Sequence, residues 1–166
     1  MAETNGDKNW WDDFPTPAST HSLERWPRDK VAALMHESTL KNGADFLVVA
    51  NATTDVRRTD FGGGTVKGAI NVHAQTFYLQ LDEFVAKYST IPIIFFFCNS
   101  SSLSEFKIGR GPRCAGWYQD ALDAKNIKTS RAVILAAGIK GWINQYKNDT
   151  ELTQDFDEEW WKIDHN

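Results

Sequence analysis

A chain of 166 residues with 24% charged and 42% apolar residues has the balance of one globular domain, and this excludes a disordered or fibrous protein. Its net charge of −4 argues against nucleic-acid binding, which needs a broad basic face, and no apolar stretch approaches the ~18 residues of a membrane span. Two cysteines, Cys98 and Cys114, are too few for a disulfide framework, and no apolar secretory segment is visible at the start; the cytoplasm or the nucleus is the expected location.

Residues 1–24 are polar and carry Pro15 and Pro17, so they read as an extended lead-in pinned by Trp10, Trp11 and Phe14. Pro27 can open a helix whose apolar positions Val31, Leu34 and Met35 recur at helical spacing, with Gly43 as its stop. Residues 46–49 are a short, β-branched apolar run and read as a buried strand. A loop over 50–68 contains Gly62, Gly63 and Gly64, a flexible turn with no nucleotide-binding pattern. A second strand is expected over 69–72 and a helix over 77–88, with Leu81, Phe84 and Val85 on one side. Residues 91–97 are the most apolar segment and predict a third strand. A helix over 112–125 would bury Ala115, Tyr118 and Leu122; a strand over 132–135 and a short helix after Gly138 follow. Residues 148–166 are acidic and aromatic and read as a tail packing back on a domain that spans 25–147. Strands alternating with helices predict an α/β fold of three layers, a central parallel sheet flanked by helices.

In such a sheet, ligands sit beyond the carboxyl ends of the strands, which is where Cys98 falls. A loop of small polar residues, Asn99, Ser100, Ser101 and Ser102, leads from it, and Gly109-Arg110-Gly111-Pro112-Arg113 opens the next helix. Backbone N–H groups of such a loop and the helix start converge on an anion, and the same field favours the nucleophilic thiolate. Lys107, Arg110 and Arg113 lie within 107–113, which holds no acid. Eleven residues separate Cys98 from Arg110, more than a tight oxyanion loop needs. Arg113 reads as a surface or salt-bridging residue, and Cys114 as a small buried helix residue with a resolving thiol as its alternative. The four histidines show no metal-ligand spacing, and no metal or organic cofactor is expected.

Asp55-Val56-Arg57-Arg58-Thr59-Asp60-Phe61 and the run from Gly64 to Val72 resemble the front half of a rhodanese-homology domain; the cysteine loop and Ala137-Gly138-Ile139-Lys140-Gly141-Trp142 resemble its back half. The likeness covers roughly 25–147 and is nearest to small fungal proteins related to the cell-cycle dual-specificity phosphatases and the eukaryotic arsenate reductases. Without residues 103–108 the chain reads Cys98-Asn99-Ser100-Ser101-Ser102-Gly109-Arg110, the Cys-x5-Arg pattern of that branch. A second extra block, 50–54, precedes the Asp55-x-Arg57 pair. The resemblance implies Cys98 as nucleophile, Arg110 as oxyanion clamp, Asn99, Ser100, Ser101, Ser102 and Gly109 as substrate-binding positions, and Asp55 and Arg57 as scaffold of the site. It departs from the phosphatase pattern at Phe97, where a histidine often stands, and Glu105 in the extra block is the only acid between Cys98 and Arg110. The implied function is a cysteine-dependent phosphatase acting on a phosphorylated protein or small phosphomonoester, or an arsenate reductase with glutathione as external reductant. The alternatives are a rhodanese-fold binding module impaired by its inserted loop, and a thiosulfate sulfurtransferase, against which the inferred loop length counts.

Overall fold

Apolar side chains alternate along the central strands, and the alternation sends successive residues into two separate cores. The structure, a computed structural model, describes residues 9–51, 63–101, 103–104 and 107–162. In chain order the elements are β1 (Glu24–Trp26), α1 (Arg28–His36), β2 (Phe46–Ala50), β3 (Thr65–Val66), β4 (Ile70–Asn71), α2 (Ala74–Phe77), α3 (Leu81–Tyr88), β5 (Ile93–Phe97), α4 (Arg110–Ala124), β6 (Arg131–Leu135), α5 (Gly138–Tyr146), β7 (Thr153–Gln154) and α6 (Glu158–Lys162). Five strands form one sheet in the order β1-β6-β5-β2-β4, every neighbouring pair parallel, while β3 and β7 make a small antiparallel pair.

On one face Leu47, Val49, Ile94, Phe96, Ala132 and Ile134 meet α2, α3 and α4 through Phe77, Phe84, Trp117 and Tyr118. On the other, Phe46, Val48, Phe95, Phe97, Val133 and Leu135 meet α1 and α5 through Val31, Ile139 and Trp142. Full burial of each such large side chain contributes roughly 1.5–3 kcal/mol, which makes the two helix layers the main source of stability. This is the α/β three-layer arrangement expected from the alternation of apolar strands and helices.

Several boundaries differ from the expected ones. The helix after Pro27 ends at His36, well short of Gly43, because its apolar periodicity stops at Met35; Gly43 lies in the turn into β2, its N–H donating to Phe46 O at 2.6 Å. Pro92 delays β5 to Ile93, and α4 starts at Arg110, two residues earlier than expected. Ala50, expected in the loop over 50–68, belongs to β2 in register with Phe97, and Asn51 N continues the ladder to Phe97 O at 2.7 Å, so the first two residues of the extra block 50–54 extend the strand. The remainder of that block, 52–54, lies outside the described residues, as do Asp55 and Arg57. Residues 24–26 form the sheet's edge strand β1 beside β6, a role their polar composition does not advertise.

Segments at both ends are bound to the sheet layers. Trp117 Nε1 donates to Pro15 O at 2.8 Å, the Asp120 carboxylate accepts from the N–H groups of Ala18 and Ser19, and Phe14 stacks 5.0 Å from Tyr78. Thr20 Oγ1 donates to Pro112 O at 3.2 Å, which ties the N-terminal segment to the first turn of α4. At the other end Trp142 Nε1 donates to Leu152 O and Thr153 Oγ1, and Trp161 Nε1 to Gly63 O.

Candidate active site

Cys98 is the first residue past β5, 5% exposed, at the carboxyl edge of the sheet's central strand. Two helix starts hold it. The first-turn amides of α5 have no carbonyl within their own helix to accept them, and the loop supplies one for two of them: Ile139 N donates to Cys98 O at 3.0 Å and Lys140 N to Asn99 O at 3.1 Å. Gly138 opens that helix at φ +62, and a Cβ there would stand 2.6 Å from Asn99 O and 2.8 Å from Cys98 O. From the other side α4 presents Gly111, where a Cβ would stand 2.8 Å from Phe97 C and 2.9 Å from Cys98 N. Only glycine allows two helix termini to close on one strand end in this way.

The loop then turns through Ser101, which is fully buried and held at φ +50, a left-handed conformation costing a serine about 1 kcal/mol. Two contacts stabilise it: Cys98 N donates to Ser101 Oγ at 3.3 Å, and Arg25 Nη2 donates to Ser101 O at 3.3 Å. Asn99 is half-buried and Ser100 exposed, while Ser102 lies outside the described residues. Gly109 is the N-cap of α4, extended at φ −69 and ψ 170, and Arg110 is the first helical residue, with Arg113 N closing the first turn on Gly109 O at 3.0 Å.

The extra block folds on itself. Leu103 and Ile108 pair as an antiparallel bridge, Ser104 N donates to Lys107 O at 2.8 Å, and Lys107 N donates to Ser104 Oγ at 3.0 Å. Its two ends therefore lie side by side. Leu103 packs against the α4-side core, and Ser104 O meets His21 Nε2 at 3.1 Å, so the N-terminal segment also anchors the block.

Besides Arg25, which reaches the loop from β1, α4 brings Arg110 and Arg113 to its neighbourhood. Burial pushes the Cys114 thiol well above the ordinary range; the neighbouring Cys98 pushes it further, and Arg113 and Arg110 pull the other way. Both cysteines and both arginines thus share one electrostatic neighbourhood. Arg113 is no surface residue: it is 6% exposed, its guanidinium lies 4.7 Å from the Trp11 ring, and its Nε lacks a hydrogen-bond partner among the described residues. Burial lowers its pKa, with Cys114 and Asp12 opposing.

One cluster escaped the sequence reading. His36 Nε2 lies 3.6 Å from Asp149 Oδ2 and His36 Nδ1 3.2 Å from Glu151 Oε2, three groups gathered from α1 and the turn before β7. The two ring nitrogens face different carboxylates, the arrangement of a surface ion-pair staple; one metal ion could take only one of them.

Arg25, Gly111 and Gly138 are further parts of the site's support. Arg25 carries no sequence signal, since it sits in the polar stretch that hid β1, whereas Gly138 belongs to the run whose family resemblance was legible.

No protein-family model and no curated protein matches the chain. Solved structures do. Yeast Ygr203w, described as a protein tyrosine phosphatase of the rhodanese family, is 19% identical, with a TM-score of 0.64 over 84% of this chain and 96% of that one. A second structure of Ygr203w, described as a homolog of single-domain rhodanese and of the Cdc25 phosphatase catalytic domain, is 20% identical with a TM-score of 0.63, covering 86% of this chain and 94% of that one. An As-Sb reductase from Leishmania major is 12% identical, with a TM-score of 0.57 over 77% of this chain and 81% of that one. The fold is that of the rhodanese proteins, and its solved neighbours include a phosphatase and a metalloid reductase.

Proposed function

We propose that this chain is a cysteine-dependent phosphatase in which Cys98 is the nucleophile and Arg110 clamps the oxyanion. The observation that carries the reading is the placement of Cys98 between the starts of α4 and α5, with the extra block paired at Leu103 and Ile108 so that the loop resumes at Gly109. The N-terminal end of a helix carries partial positive charge that favours an anion, and Arg110 as the first residue of α4 adds a full charge to it.

The Cys98 thiolate attacks phosphorus in line with the ester oxygen. An S–P bond forms, the P–O ester bond breaks, and the leaving alkoxide or phenoxide takes a proton from the substrate or from solvent. Loop amides and the Arg110 guanidinium hold the equatorial oxygens as charge grows on them. Water then attacks phosphorus, the S–P bond breaks, and inorganic phosphate leaves with the thiolate restored. Ser101, held by Cys98 N and Arg25, keeps the loop turned inward so that its amides face the anion. Arsenate would suit the same cradle: Cys98 would displace one oxygen as water to form an S–As bond, an external thiol such as glutathione would attack Cys98 Sγ so that this bond breaks and its electron pair leaves with arsenite, and a second external thiol would reduce the resulting mixed disulfide and restore Cys98.

Hydrolysis of p-nitrophenyl phosphate by the full chain tests this reading. It predicts turnover that Cys98→Ser abolishes. Absence of hydrolysis together with thiocyanate formation from thiosulfate and cyanide would replace it by sulfurtransfer.

A further inference from the structure

A groove of about 660 Å³ opens beside the Cys98 loop, between α5 and the C-terminal segment. One end of it is lined by Lys140, in the first turn of α5, whose N–H donates to Asn99 O at 3.1 Å, so that end lies at the helix start that abuts the loop. One wall is the outer face of α5 with its following turn: Lys140, Asn144 and Lys147, spaced i, i+4 and i+7, are all exposed and in line. From Gly138 to Tyr146 the helix contains no acid, and neither Lys140 nor Lys147 has an ion-pair partner among the described residues. The facing wall carries half-buried Phe156 and Trp161 with the exposed carboxylate of Glu158 beside them, and Ile143 forms part of the floor. Lys162 on the rim is paired with Glu159 at 3.0 Å, so the unpaired positive charge is concentrated on the α5 wall.

We infer that this groove seats the acidic flank of a phosphorylated protein segment whose phosphoresidue occupies the Cys98 loop. The inference rests on the phosphatase reading and adds the substrate class to it. Charge complementarity selects the occupant: on a chain of net charge −4 the groove gathers Lys140, Lys147 and Lys162 against the single acid Glu158, a local positive balance that favours an acidic segment. Shape agrees with it. From Lys140 to Lys147 the wall runs about 10 Å, the span of three extended residues, and the Phe156–Trp161 wall takes an apolar or aromatic side chain on the segment's other side. A small phosphate ester would fill the loop and leave the groove empty, so the groove governs selection among macromolecular substrates and not the chemistry.

The test uses the full chain and the double variant Asn144→Asp, Lys147→Glu, both exposed positions away from the loop contacts. Two phosphotyrosine peptides serve as substrates, one flanked by glutamates and one phenylalanine, one flanked by neutral residues, with p-nitrophenyl phosphate as the small substrate; a fluorescein-labelled, unphosphorylated acidic peptide reports binding directly. The expected result is a KM about ten-fold higher for the acidic phosphopeptide with kcat held, weaker binding of the labelled peptide, and unchanged kinetics for the neutral peptide and p-nitrophenyl phosphate. Equal kinetics of variant and parent on the acidic peptide would overturn the inference, as would equal losses on acidic and neutral peptides. If no substrate turns over, the phosphatase reading fails, and charge-dependent binding of the labelled peptide still decides whether the groove takes an acidic segment.

Discussion

The two helix starts that enclose Cys98 hold the loop by different means. On the α5 side the chain is locked: two backbone hydrogen bonds, from Ile139 and Lys140, and a glycine with no room for a methyl group grip the Cys98 and Asn99 carbonyls. On the α4 side the approach is equally close at Gly111, but the connection from Ser101 passes through the extra block before reaching Arg110. The position of Cys98 is thus set mainly by α5, and that of Arg110 by α4. An insertion on the α4 side can therefore be absorbed, provided its ends close together, as the Leu103–Ile108 pair makes them do.

Breaking either side should show the division. Arg110→Met removes the proposed clamp and should lower kcat on p-nitrophenyl phosphate ~10²–10³-fold while leaving thermal stability within a degree or so. Gly138→Ala attacks the locked side: with φ +62 and a Cβ 2.6 Å from Asn99 O, it should cost about 2 kcal/mol in urea unfolding and roughly 100-fold in turnover through displaced loop carbonyls. Deleting residues 103–108 should change kcat by less than about ten-fold, since shortening a closed loop relieves little entropy. A rise of a hundred-fold on deletion would instead show that the block obstructs the site.

Smaller effects sharpen the picture. Arg25→Ala removes the charged donor to Ser101 O and should lower stability by about 1 kcal/mol, with a matching modest rise in KM. Tyr118, on α4 where it packs against β5, has its hydroxyl pushed up to about 12, by burial first, with the Ser130 hydrogen bond opposing. A raised value for a group that is neutral when protonated means that its stability contribution is fully present below the ordinary tyrosine pKa near 10 and is lost as pH rises through about 12. Ultraviolet titration should accordingly show one tyrosine ionising late, absent in Tyr118→Phe.

Much of this was legible in the residues, for physical reasons. β5 and β6 are buried on both faces, so their unbroken apolar runs betray them, and the Cys98 loop follows from β5. β1 was hidden because an edge strand of three residues, Glu24–Trp26, needs no apolar pattern of its own; with it went Arg25 and its grip on Ser101. Ala50 was misplaced because a strand's end is decided by its partner, here Phe97, and no local signal carries that register. Arg113 misled for a related reason: an arginine at a helix start reads as solvated until Trp11, distant in sequence, is laid across it. The closing of the extra block on itself likewise depends on a pairing between Leu103 and Ile108 that composition does not reveal.

Covalent oxyanion chemistry at Cys98, in a loop that the insertion leaves intact, requires a phosphoryl-cysteine intermediate. Acid-quenching the full chain during turnover of p-nitrophenyl phosphate, followed by mass spectrometry of its peptides, measures this directly. The expected result is one phosphoryl group on the peptide containing Cys98, absent in Cys98→Ser and accumulating under saturating substrate. Turnover that persists in Cys98→Ser, or a phosphoryl group found on any other residue, would contradict it.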